Sequence, residues 1–296
     1  MKVLISGASG LVGAALSKRL RAAGDEVKTL SRGGRHGVAW DPATGEFDAQ
    51  ALNAWGGPEA VVHLAGESIA ARRWNEEQKQ RIRESRVPAT QKLCQSLARL
   101  NSPPRIFLCA SAVGIYGSRG DEVLTEDSAP GGDFLSSVAV DWEKSCTPME
   151  NAQARVVHLR FGMILAREGG ALPKLLRLFR LGLGGKLSTG QQWVSWVALE
   201  DVLGAIEFAL REPVQGALNV VAPNPVTNAD FTRHFARAVH RPALIPAPRL
   251  GLRVALGEMA DALLLASQRA LPQRLLESGF KFKHPDLPGA FEAILR

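Results

Sequence analysis

Three glycines stand three residues apart near the start of the chain, in Gly7-Ala8-Ser9-Gly10-Leu11-Val12-Gly13. The short apolar run Lys2–Ser6 precedes them. The segment after them, Leu11–Ala23, carries Leu16 and Leu20 one helical turn apart with Lys18, Arg19 and Arg21 between and beside them. A strand, a glycine turn and a helix in this order make a seat for a diphosphate. The glycines allow a tight turn, a close approach of ligand to backbone, and close packing of helix on strand. The free N–H groups at the helix start then face the negative charge. The same glycines alone would be an ordinary turn; inside a β-α-β unit they point to a dinucleotide site. The next apolar run, Glu26–Leu30, ends in Ser31-Arg32 with no carboxylate, while Asp25 and Glu26 lie at its opposite end. An acid there would bind the ribose of NAD and repel a 2′-phosphate. Ser31 can donate a hydrogen bond and Arg32 can clamp a phosphate with its planar fork, so the expected cofactor is NADP. In Val61-Val62-His63-Leu64-Ala65-Gly66, the small residues allow close backbone contact with the adenosine half, and His63 reads as a packed core histidine.

These residues need a scaffold. The apolar runs Ala60–Leu64, Arg105–Ala110 and Arg155–Arg160 read as further strands; Glu76–Leu100 and Val138–Asn151 read as helices between them. Repeated β-α-β order predicts a Rossmann doubly wound parallel sheet, an α/β fold with its ligands at the carboxyl ends of the strands. After about residue 165 glycine and proline become frequent, and helical segments follow near Leu199–Arg211, Asn228–His240 and Arg249–Ala266. The expected organisation is a cofactor domain over residues 1–165 and a smaller, more helical substrate-side region over 166–296.

Composition narrows the classes. The 296 residues carry 36 Lys and Arg against 29 Asp and Glu, a formal charge of +7. That balance favours anionic ligands. The arginines are scattered and not interleaved with aromatics, so a nucleic-acid partner is not expected. No apolar run reaches the length of a membrane span and no membrane partner is expected. The N-terminus lacks the features of a signal peptide. Cys94, Cys109 and Cys146 form no C-x-x-C pair, which argues against a disulfide framework or a zinc site and for a cytoplasmic setting. Cys109, in an apolar run, reads as a buried small hydrophobe.

Several strings together carry a resemblance: Leu64-Ala65-Gly66-Glu67-Ser68-Ile69, Arg73-Trp74-Asn75, Ser85-Arg86-Val87, Ser111-Ala112-Val113-Gly114-Ile115-Tyr116-Gly117, Asp141-Trp142-Glu143 and Arg160-Phe161-Gly162. With the G-x-x-G-x-x-G spacing, their order resembles the sugar-nucleotide epimerase-like branch of the atypical extended short-chain dehydrogenase/reductases. The tail, Leu271-Pro272-Gln273-Arg274 with Gly279-Phe280-Lys281-Phe282, resembles that branch's C-terminal region of unknown function, here about 245–296. The resemblance implies cofactor contacts from Gly7, Gly10, Leu11, Val12, Gly13, Ser31, Arg32, Leu64 and Ala65, and from Arg86 unless it is a helix-surface arginine.

The resemblance also brings a conflict. The superfamily's proton relay is Tyr-x-x-x-Lys with an upstream Ser or Thr. This chain has one tyrosine, Tyr116, and Gly120 stands four residues after it; ahead of Glu143 the sequence reads Phe134-Leu135-Ser136-Ser137-Val138-Ala139. That relay is absent. Ser111 and Tyr116 are the remaining candidate proton donors, with Glu67 a third candidate acid/base. In the second half, Gln191, Gln192, Trp193 and Trp196 suit either a polar ring or a domain interface. Asp201 suits a helix N-terminus and Asn219 a fixed loop. The expected function is NADP-dependent oxidoreduction or epimerisation of a small polar molecule, nucleotide-linked ones among the candidates. The alternative is a catalytically silent NADPH-binding sensor or regulator.

Overall fold

The structure, a computed structural model, describes residues 1–34 and 37–296. Among the described residues seven strands form one parallel sheet: β1 (Lys2–Ser6), β2 (Glu26–Ser31), β3 (Val38–Ala39), β4 (Ala60–His63), β5 (Ile106–Ala112), β6 (Arg155–Phe161) and β7 (Gly216–Val220). Their order is β7-β6-β5-β4-β1-β2-β3. Val3 of β1 pairs with Val27 on one side and Ala60 on the other. The chain therefore winds outward from β1 through β2 and β3, then crosses back to lay β4 on the other flank. The glycine turn leaves β1 at the point where the winding reverses, where the connections to β1's two neighbours part and open a crevice.

Side-chain alternation divides the sheet's two faces. Val3, Ile5, Val62 and Leu108 pack against Leu16 and Leu20 of helix α1 (Leu11–Ala22). Leu4, Val61, Phe107 and Cys109 face the other way, onto Leu52 of α2 (Ala49–Ala54), Leu93 and Leu97 of α4 (Val87–Leu97), and Trp142 of α5 (Phe134–Lys144). With both faces covered, the strands read as continuous apolar runs.

Three boundaries differ from expectation. The expected helix over Glu76–Leu100 is two, α3 (Glu76–Glu84) and α4, because Pro88 has no N–H to donate and its ring crowds the preceding turn. The break sets Arg86 at the N-cap of α4. Second, α5 begins at Phe134, where the Asp133 carboxylate caps it by accepting from the Ser136 N–H at 2.8 Å, and a separate short helix, α6 (Thr147–Asn151), follows. Third, the sheet does not end at residue 165. Its edge strand is β7, and α8 (Leu199–Arg211) buries Val202, Ala205 and Ile206 in the same core as α1. Arg19 of α1 also pairs with Glu200 and Glu207, each at 2.8 Å. The sheet and its core thus run on to Val220, past the 165/166 division expected from the sequence.

The remaining elements form a smaller helical layer. Helix α7 (Leu172–Arg180), α9 (Asn228–Ala238) and α12 (Leu287–Leu295) share a core of Leu172, Phe179, Phe231, Phe235 and Phe291 with Trp196. Between α9 and α12 lie α10 (Arg249–Leu256) and α11 (Gln273–Glu277). The tail returns to the sheet. Arg269–Ala270 runs parallel to Val123–Leu124, and Leu275 is buried in the first core.

Candidate active site

Gly7 has φ +72°, and a Cβ there would stand 2.7 Å from the carbonyl of Leu64. A Cβ on Gly13 would stand 2.3 Å from the Gly7 oxygen; one on Gly10 would be merely tight, at 3.3 Å. The turn is therefore pressed onto the strand end at Leu64 and Ala65, and glycine is required at its first and third positions. Gly10 is the N-cap of α1. No side chain caps this helix and no acid lies in its first turn. Helices α2, α3, α5, α9 and α12 are each capped by an Asp, Asn or Thr side chain, while α4, α6, α7, α8, α10 and α11, like α1, are not. The start of α1 keeps its N–H groups and its partial positive charge for an anion. Leu11 packs against the Gly169–Gly170 turn, and Val12 against the first core.

At the end of β2 the Ser31 hydroxyl is buried without a hydrogen-bond partner among the described residues. Arg32 beside it is exposed and pairs with nothing among the described residues. The acids at the other end are committed: Asp25 pairs with the N-terminal amine and with Arg211, and Glu26 accepts from the Trp55 indole at 2.9 Å.

At the end of β4, His63 is fully buried. Its Nδ1 lies 2.6 Å from the Ser6 hydroxyl and its Nε2 2.9 Å from Thr90, which also accepts from the Trp142 indole. Burial lowers its pKa to about 4, so the ring is neutral and belongs to the core. Arg86 turns inward rather than lying along the helix surface. Its guanidinium carbon is 5.0 Å from the Trp142 ring centre and packs on Gly66, where a Cβ would stand 3.3 Å from it. Burial lowers its pKa to about 10 against the opposing pull of Glu67, so it stays charged. The Glu67 carboxylate has no hydrogen bond or ion pair among the described residues.

The two hydroxyl candidates have other commitments. Ser111 donates to Glu143 at 2.7 Å, and Glu143 is held bidentately by Arg160, with both bonds at 2.8 Å. Burial opposes the charge on Glu143, but the hydrogen bond and charge of Arg160 prevail and hold its pKa below the ordinary carboxylate value. Tyr116 is fully buried. It donates to the Asn219 side chain at 2.7 Å and accepts from Arg160 at 2.9 Å, and burial raises its pKa. Its proton is thus directed to Asn219 inside the core. Phe134 and Val138, on α5, carry no exchangeable proton in place of the missing pair.

Other expectations also resolve into structure. Trp196 is buried in the helical layer and donates to the Asn224 carbonyl, while Gln192 bonds the carbonyls of Leu187 and Leu264. Trp193 donates to Asp121 at 2.6 Å. Gln191 is exposed. Gln192, Trp193 and Trp196 tie segments together, as the interface alternative has it, and Gln191 does not. Asp201, in the first turn of α8, accepts from the backbone N–H groups of Lys283 and His284 and so fastens the tail. Asn219 lies in β7, not a loop, and donates to the Leu271 carbonyl at 2.9 Å. Sequence reasoning missed Gln78 of α3. It is 1% exposed with both amide atoms unpartnered among the described residues, on a helix that also buries Ile82 beside Trp74. Its spacing carried no signal, because a lone glutamine in a charged helix reads as surface.

Residues 3–221 match the NAD dependent epimerase/dehydratase family, and residues 247–294 match a domain of unknown function (DUF1731). An epimerase family protein of Mycobacterium bovis is 42% identical over 286 residues, covering 95% of this chain and 93% of its own. The crystal structure of the human epimerase family protein SDR39U1 with NADPH superposes with a TM-score of 0.88 at 35% identity, over 99% of each chain. The UDP-glucose 4-epimerase of Thermus thermophilus, in complex with NAD, shares the fold with a TM-score of 0.78 at 18% identity, covering 100% of this chain and 98% of its own.

Proposed function

The chain belongs to the NAD-dependent epimerase/dehydratase family, and from that premise we propose that it binds NADPH and acts as an oxidoreductase or epimerase on a small polar substrate, nucleotide-linked ones among the candidates. The end of β2 carries this reading. There, among the described residues, a buried hydroxyl without a partner stands beside an unpaired guanidinium, and the strand's end carries no carboxylate to repel a 2′-phosphate. The human relative crystallised with NADPH lends support. In this reading the uncapped start of α1 takes the diphosphate, with Gly7, Gly10 and Gly13 allowing its approach and Leu11 and Val12 flanking it. Ser31 and Arg32 take the 2′-phosphate. Leu64 and Ala65 line the adenosine side, and Arg86 adds a partly desolvated positive charge at the strand end.

When bound, the nicotinamide supplies or accepts a hydride at a substrate carbon. The chain's own residues then orient the neighbouring oxygen and move its proton. Ser111 and Tyr116, both buried, are committed to the network of Glu143, Arg160 and Asn219. Glu67, with an uncommitted carboxylate at the end of β4, is the group that carries the proton.

One observation favours a second reading, a cofactor-binding protein without turnover: Tyr116 spends its proton on Asn219. Titration and turnover separate the two. Arg32→Ala removes a charge-assisted contact worth about 1.5–3 kcal/mol, so NADPH affinity is expected to fall roughly ten- to hundredfold with NADH little changed. Equal loss of both would refute the assignment of Arg32. Turnover of NADPH with carbonyl compounds or sugar nucleotides, abolished in Glu67→Gln, supports catalysis. Tight NADPH binding with no turnover across the panel supports the silent reading.

A further inference from the structure

Two stretches of the chain, 169–199 and 231–257, contain no Asp or Glu, yet hold four and five Lys and Arg residues respectively. Removing those nine cations leaves 27 against 29 acids, so these stretches carry the whole positive excess. The fold joins them. The Ile245 N–H donates to Gly184 at 3.4 Å, the Ala247 N–H to Lys186 at 2.9 Å and the Ser188 N–H to Ala247 at 2.8 Å. Six of the nine cations pair with no carboxylate among the described residues: Lys174, Arg177, Arg180, Lys186, Arg237 and Arg241. Lys186, Arg237 and Arg241 border a groove of about 900 Å³ between α9 and residues 241–246.

The same two stretches also expose apolar side chains. Of the ten large hydrophobic side chains exposed among the described residues, seven lie in them. Leu178, Leu181 and Leu183 come from the end of α7 and its following loop. Leu244 (80% exposed), Ile245, Leu250 (74%) and Val254 (70%) come from the second stretch. Helix α10 buries no residue, and Leu250 and Val254 stand one turn apart beside Arg249 and Arg253. Those two arginines share Asp261.

We propose that this face docks on an anionic lipid bilayer, with its leucines and Val254 entering the acyl boundary and its free cations meeting lipid phosphates. Protruding aliphatic side chains together with six uncompensated Lys and Arg residues on the same two joined stretches fit an interface with an apolar interior and an anionic skin. Nucleic acid offers the charge but no apolar phase. The expectation of no membrane partner rested on the lack of a spanning segment, and among the described residues no helix is long and apolar enough to span; a peripheral face needs none. The proposal gives α10, within the domain of unknown function, a task separate from cofactor binding.

The test is sedimentation of the full chain with phosphatidylglycerol–phosphatidylcholine vesicles and with pure phosphatidylcholine vesicles, at low and high salt, with duplex DNA as a competitor. Binding is expected only to the anionic vesicles and to weaken with salt. Arg237→Gln with Arg241→Gln is expected to weaken it about fivefold per charge. Leu250→Ser with Val254→Ser is expected to weaken it about tenfold or more. NADPH affinity, unchanged in both, reports that the variants fold. No binding to anionic vesicles overturns the proposal. So does binding that the apolar double variant leaves intact, or that DNA displaces equally from both variants, since either makes the face a mere polyanion surface for an acidic partner or nucleic acid.

Discussion

His63 makes stability depend on pH in a direction that the structure dictates. The imidazole is fully buried between Ser6 and Thr90, with Trp40 and Phe107 against its ring. Its pKa falls from 6.5 to about 4 in the folded chain. The unfolded chain therefore takes up the proton first. The contribution of a neutral His63 is whole above pH 6.5 and is lost as pH falls from 6.5 towards 4. At about 1.4 kcal/mol per pH unit the loss is about 3 kcal/mol, a large part of an ordinary folding free energy. Urea unfolding at steps from pH 7.5 to pH 4.5, read by tryptophan fluorescence, measures the slope. Other groups titrate in this range, so the comparison is with His63→Gln, whose amide can still meet Ser6 and Thr90 but does not titrate. The variant should be less stable at pH 7.5 and should lose about one proton's worth of slope below pH 6.5. If the two slopes coincide, the ring is not neutral and buried in the folded chain, and the account of the β4 end is wrong.

Other perturbations read other parts of the site. Gly13→Ala puts a methyl 2.3 Å from the Gly7 oxygen and is expected to cost about 1–3 kcal/mol and to weaken NADPH binding, whereas Gly10→Ala, with 3.3 Å of clearance, should leave the melting temperature nearly unchanged; equal melting of both variants would contradict the turn geometry. Glu143→Leu strands the Arg160 charge in the core and is expected to cost about 3–5 kcal/mol, lowering the melting temperature by roughly 10 °C. Because the Glu143 pKa is depressed, this contribution is present above the ordinary carboxylate pKa and fades in acid, so the gap between wild type and variant should narrow as pH falls. Asp201→Ala frees the N–H groups of Lys283 and His284 and should speed tryptic cleavage after Lys281 and Lys283 without loss of NADPH binding; an unchanged cleavage rate would mean the tail is held elsewhere.

The cofactor half was readable because its signals are local. A glycine turn between a strand and a helix is set by residues within one segment, and apolar runs mark strands buried on both faces. The helix break at Pro88 was equally local, but it was masked by the helical pattern on either side. The residues near the reacting end were harder to read. Tyr116 is the chain's sole tyrosine, and nothing in its neighbours tells that Asn219, 103 residues on, takes its proton. Trp196 and Gln192 have the chemistry of a substrate face but are used to join segments.

What the sequence by itself determined is the dinucleotide turn, the β-α-β winding and the absence of the usual proton pair, since each follows from residue types at short spacing. Tertiary structure alone decided that a strand from beyond residue 200 completes the sheet, that Ser111, Glu143, Arg160 and Tyr116 form one buried network, and that backbone hydrogen bonds join two distant acid-free stretches. These depend on which distant segments pack together, and packing is selected by the summed burial of the whole chain, which no local window contains.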